Sequence, residues 1–176
     1  MVDRALVDSQ AMKNVRQSVG ALGLGILLAL GIAVLVVFGI FWPIAMRFLD
    51  PALASDTFYP SLFLVIASAF AFYWGGMISS YRAPGRRKLH GTLVAPATFA
   101  ISPVVNVLSG KGLFPGLESS RAMLFMFVIL LIASASAYIG ARRGVALQAH
   151  NRKHIQTRRR RREQNQDVAS EPERRG

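Results

Sequence analysis

Five consecutive arginines, Arg158, Arg159, Arg160, Arg161 and Arg162, and a tight cluster of Arg82, Arg86, Arg87 and Lys88 are the residues best suited to chemistry, and that chemistry is anion recognition. A guanidinium presents a planar fork of donors that matches phosphate or carboxylate oxygens. Next to a membrane, each Lys or Arg is drawn to anionic headgroups by about 1 kcal/mol. Five adjacent arginines also suit nucleic-acid phosphates. No aromatic side chain lies among them to stack on bases, which counts against nucleic acid as the partner. The plainest reading of both clusters is a topology anchor and a solvated tail.

His90 closes the first cluster, where an imidazole can exchange a proton or join Arg86, Arg87 and Lys88 around a ligand phosphate. His150 and His154 are four residues apart and share a face if the tail is helical, but the surrounding arginines repel a metal cation. Thr98, Ser102 and Asn106 recur at four-residue spacing within an apolar stretch. That stripe reads as a path for water or solute, or more simply as interhelical hydrogen bonding worth about 0.6 kcal/mol per contact. The apolar stretches hold no carboxylate, Lys or His, so proton-coupled transport has no titrating group there and a Ser or Thr nucleophile has no base. The chain has no cysteine, which removes thiolate catalysis, cysteine metal sites and disulfides. A non-enzymatic protein is expected, without catalytic residue, cofactor or metal.

Long uncharged stretches must position these groups. The 176 residues are 52% hydrophobic yet 17% charged, and the two kinds are segregated. No Asp, Glu, Lys, Arg or His occurs in residues 19–46, 61–81, 91–109 or 122–141. A bilayer core of about 30 Å needs about 20 mostly apolar helical residues, and a soluble helix of that length would show a charged face. The pattern predicts an all-α membrane protein with four transmembrane helices in two hairpins, spanning those four ranges. The polar segment before them, residues 1–18, is expected as a weak surface helix or a disordered lead. The first span is too long for a cleaved signal and reads as a retained anchor. The basic tail, residues 142–176, is expected to be largely disordered, with its first part able to extend the fourth span.

Ala21, Gly25, Ala29 and Ala33 repeat every four residues in the first span, and Ala67, Ala71, Gly75 and Ser79 do so in the second. Small residues on one face let helices approach closely in lipid, so both stripes are expected to pack against other helices or subunits. The fourth span is bulky in its first half and small in its second. The third carries Pro96 and Pro103, each of which removes a backbone hydrogen bond. Its freed carbonyls need neighbours, which places it inside the bundle or at a subunit contact. A re-entrant course is the alternative and would leave three spans.

Lys and Arg number 3, 1, 4, 2 and 11 in successive non-membrane segments. The alternation of high and low fits four full crossings with both termini cytoplasmic, since cytoplasmic segments collect positive charge. The location implied is the cytoplasmic or inner membrane.

The stretch from Trp74, Gly75 and Gly76 to Tyr81 and Arg82, followed by Arg86, Arg87, Lys88, Leu89, His90 and Gly91, resembles the small four-helix integral membrane proteins of unknown function found in many prokaryotes. In those, a glycine-rich second helix leads through a basic turn into a His-Gly or Gly-rich third helix. The resemblance covers about 20 residues, implies four helices and transfers no activity. The arginine-rich tail is not part of it. The function expected is an accessory or anchoring subunit in a homo- or hetero-oligomer, its tail on anionic headgroups or a cytosolic protein. A small permease or channel subunit that forms its pore by oligomerising is the other reading.

Overall fold

The computed structural model describes residues 2–48, 58–110 and 120–170, which are all-helical, with no strand among them. Helix α1 (Val2–Val34) passes through a π-helical segment (Leu35–Phe41) into α2 (Trp42–Phe48) without a break. Helix α3 (Phe58–Arg82) is followed by a turn, then α4 (Arg87–Thr92), α5 (Val94–Leu108) and α6 (Ser120–Ser170). The expected loops at 47–60 and 110–120 lie mostly outside the described residues.

Local sequence accounts for the irregular points. In an α-helix the ring of Pro43 would meet the carbonyl of Gly39. The chain winds wider just before it, with the Trp42 N–H donating to the Val37 carbonyl five residues back. Pro96 has no N–H for the Thr92 carbonyl, and the α4–α5 break falls there, at Leu93 (φ −72°, ψ −11°). Four-residue hydrogen bonds on either side, Leu93 N to Leu89 O (3.0 Å) and Ala97 N to Leu93 O (2.9 Å), carry the helical course past it. Pro103 stays inside α5.

Among the described residues, three segments are long and apolar enough to cross a membrane: Met12–Ala45, Pro60–Arg82 and Ser120–Arg161. The second matches the expected span to within one residue at each end. The first and third are longer than the sequence suggested, because the polar segments flanking them are helical too. From Val2 onward the N-terminal segment is helical and runs into the span as part of α1. At the other end α6 passes Ala141 and continues to Ser170, in a stretch rich in Arg, Gln and Ala, all good helix formers. Val94–Leu108 is a shorter apolar helix. With α4 it forms about 33 Å of helical course at ~1.5 Å per residue.

The bundle is packed with small side chains. Its buried core includes Ala29, Phe72, Val94, Ala95, Ala133 and Ala137, with Leu22, Ile26 and Phe99 against it. Large apolar groups such as Leu27, Phe38, Phe70 and Leu131 point outward and are more than half exposed. Water would penalise that distribution; lipid tails, as apolar as leucine, do not.

The legs alternate in direction. Gly25 meets Gly75 and Ser79 while Phe41 stacks on Phe63 (4.3 Å), so α1 and its continuation run antiparallel to α3. Gly91 lies against Gly76 and Ser80, and Phe99 against Phe72 (6.1 Å), so α4–α5 also opposes α3. Gly140 and Gly144 touch Tyr73 and Met77 in the same order, so α6 runs parallel to α3.

The sequence expected the third span to lie inside the bundle or at a subunit contact, and the structure divides it. Only its beginning lies inside. Gly91, Val94 and Ala95 are buried, whereas Ile101, Val104, Val105, Val107 and Leu108 are exposed. Beyond Pro96 this leg leaves the core.

Candidate functional site

Two close helix crossings hold the bundle. At the first, the stripes of α1 and α3 face each other: Ala21, Gly25, Ala29, Ala67, Ala71, Gly75 and Ser79 are all buried, and Ala33 is half-buried. Ala33 is the last stripe member before the π segment. A methyl group built on Gly25 would lie 2.7 Å from the Ser79 Cβ and 3.0 Å from the Val94 Cγ2. Only a residue without a side chain fits there. These stripes therefore cover one another within a single chain.

The second crossing, α3 on α6, is closer still. A methyl on Gly76 would strike the Ala137 carbonyl, one on Gly140 the Tyr73 carbonyl, and one on Gly144 the Met77 carbonyl and Ser80 hydroxyl. The buried Ser80 hydroxyl lies 2.9 Å from the Met77 carbonyl oxygen and 3.1 Å from that of Ala141, its donor shared between its own helix and α6. The neighbouring Ser79 hydroxyl is buried with no partner. Further along, the Asn151 amide donates to the Tyr81 hydroxyl (3.0 Å).

The basic turn follows directly from α3. Arg86 adopts a left-handed conformation (φ 40°, ψ 41°), the one non-glycine residue with positive φ among the described residues. Its carbonyl accepts from the Leu89 and His90 backbone N–H groups (2.9 and 3.3 Å) and lies 3.2 Å from the His90 Nδ1. The Arg87 Nε–H donates to the Ala83 carbonyl (3.0 Å), which holds that guanidinium against the end of α3. Lys88 is exposed.

Between α1, this turn and α6 lies an open cavity of about 680 Å³, lined among others by Gln17, Leu24, Arg82, Arg87, Gln148 and Arg152. The sequence singled out Arg82 and Arg87 but not Gln17, Gln148 or Arg152. Those three come from the start of the first leg and the extension of the last, and no spacing pattern links such distant segments.

Thr98, Ser102 and Asn106 do fall together, along a second, mostly apolar cavity of about 400 Å³ on the flank of the bundle beside Ile26, Phe72 and Phe99. The Thr98 hydroxyl donates to the Val94 carbonyl of its own helix (2.7 Å). Arg158, Arg159, Arg160 and Arg161 are exposed along α6; the Arg162 side chain lies outside the described residues. His150 and His154 are side by side, Nε2 to Nε2 3.0 Å, and both exposed. Among the described residues no group of three His, Cys, Asp or Glu side chains is placed to hold a metal.

No family model matches this chain, and neither a curated protein nor a solved structure matches it.

Proposed function

We propose that this chain is a non-enzymatic anchoring subunit of the cytoplasmic or inner membrane that crosses the bilayer four times and holds a basic helix out from it. The observation that carries this reading is the continuity of α6, one helix from the small-residue crossing at Gly140 and Gly144 to Ser170. A helix leaving a membrane domain with Arg158 to Arg161 exposed is suited to meeting an acidic cytosolic surface.

Four crossings are supported by where the basic segments meet. Gln17 near the start of the first leg, Arg82 and Arg87 in the turn, and Arg152 beyond the last leg line one cavity and so lie at one end of the bundle. With that end in the cytoplasm, the three lysine- and arginine-rich segments fall on one side, as the positive-inside bias favours. The α4–α5 leg then serves as the third crossing, with its prolines displacing its outer half.

Because the α1 and α3 stripes cover each other, contact with another subunit falls to the exposed apolar half of α5, from Ile101 to Leu108. The test is native mass spectrometry of the tagged protein purified from its own membranes in mild detergent. A stable heteromeric particle supports an anchoring subunit, and a particle of this chain alone overturns it.

The second reading is a permease or channel subunit. It is favoured by the flank cavity, where Thr98, Ser102 and Asn106 line a space that a second copy would have to close. Solute flux through liposomes holding only this protein supports it, and a tight membrane sinks it.

A further inference from the structure

We propose that the cavity between α1, the basic turn and α6 binds the phosphate of an anionic phospholipid headgroup, held by Arg82, Arg87 and Arg152.

Three guanidinium groups line this cavity from three helices, Arg82 at the end of α3, Arg87 at the start of α4 and Arg152 in α6. Among the described residues, no acidic side chain lines the cavity. The nine acidic residues leave three gaps: none lies between Asp8 and Asp50, between Asp56 and Glu118, or between Glu118 and Glu163. Every cavity-lining residue falls inside one of those gaps. On α1 the nearest acid precedes Gln17 by nine residues, and on α6 the nearest follows Arg152 by eleven. Like charges gathered in one cavity repel, and an anion relieves that repulsion.

The donors are partly organised. Arg87 is fixed through its Nε–H to the Ala83 carbonyl, which leaves its terminal N–H groups for a ligand. The side-chain oxygen of Gln148 is buried with no partner. Oxygen and nitrogen of a glutamine amide exchange places by a half-turn of the side chain. Gln148 lines the same cavity, where its amide N–H₂ is a further neutral donor for an anion. Planar guanidinium forks bind phosphate oxygens in pairs, which a lysine cluster would not do.

The source of the phosphate follows from the rest of the lining. Gly20, Ala21 and Leu24 belong to the segment of α1 that is apolar and long enough to cross a membrane. The cavity thus joins a cationic rim to an apolar wall at the end of the bundle. Such a boundary suits a headgroup whose acyl chains run down the helix surface.

This inference rests on the membrane topology proposed above but not on a partner for the basic helix, and the variants below separate the two. The full-length protein is placed in nanodiscs of phosphatidylcholine with a minor share of phosphatidylglycerol, and lipid retained on release is counted by native mass spectrometry. R82Q/R87Q/R152Q should reduce retained phosphatidylglycerol at least tenfold, and R152Q alone, at an exposed position of α6, should reduce it severalfold with no change in helix content. R158Q/R159Q/R160Q/R161Q, outside the cavity, should retain it as the native chain does. Equal retention by the triple variant and the native chain would overturn the site. Loss in the quadruple variant alone would overturn it too, by assigning the contact to the far part of α6. Inorganic phosphate is the third arm: if it displaces phosphatidylglycerol at low millimolar concentration, the ligand is the free ion and the lipid is overturned as its source.

Discussion

Gly25 and Gly75 exclude side chains from each other. A methyl group on Gly25 would lie 2.8 Å from the Gly75 carbonyl oxygen, and one on Gly75 would lie 2.7 Å from the Gly25 carbonyl oxygen. Carbon and oxygen do not approach that closely without displacement, so α1 and α3 must part if either glycine gains a side chain. Gly25→Ala and Gly75→Ala should each cost about 1–3 kcal/mol, as overpacking does in other cores. Gly23→Ala and Gly31→Ala, which meet nothing within 4 Å, should be neutral or slightly stabilising, since alanine is the better helix former. Thermal unfolding in a single detergent ranks the four variants.

Adjacent serines should behave oppositely. Ser80→Ala removes a donor shared with the Ala141 carbonyl and should destabilise by about 0.6 kcal/mol. Ser79→Ala removes a buried hydroxyl that has no partner and should be neutral or stabilising by up to about 1 kcal/mol. Equal losses in unfolding measurements on both variants would contradict the hydrogen-bond assignment.

The absence of cysteine makes the chain a ready background for labelling. Single cysteines at Gly85, Ser109 and Gln156, all exposed, report the topology. With an impermeant maleimide, Gly85→Cys and Gln156→Cys should label from the cytoplasmic side and Ser109→Cys from the other. Labelling of Ser109→Cys from the same side as Gly85→Cys, with Gln156→Cys labelled from the other, would remove the third crossing.

A left-handed arginine is a local cost, about 1–2 kcal/mol for an L-residue. Arg86→Gly should recover part of it, raising the unfolding temperature by a few degrees. It should leave lipid retention intact, because Arg86 does not line the cavity of Arg82, Arg87 and Arg152.

Much of the packing was legible from spacing alone. Four-residue repeats of small residues located the α1 and α3 faces, since that interval returns to one side of a helix. Spacing does not say what covers a face, so it fits a partner subunit as well as the chain's own neighbour. Pro96 and Pro103 marked the third leg as irregular, but not that Val94 would be buried while Leu108 stood exposed; that depends on where the other helices end. The arginines at 82 and 87 were evident as a cluster. Arg152 and Gln148 join them only through the parallel course of α3 and α6, which no local pattern encodes.

The unbroken course of α6 makes it a lever. Its fulcrum is the tight crossing at Gly140 and Gly144, and about 39 Å of helix lies beyond Gly144 at ~1.5 Å per residue. A rocking of about 10° at that fulcrum would swing Arg158 to Arg161 by about 4 Å and the far end by about 7 Å. A small change in bilayer thickness or in the set of the bundle would thus be magnified into a displacement large enough to be felt by whatever the arginines touch.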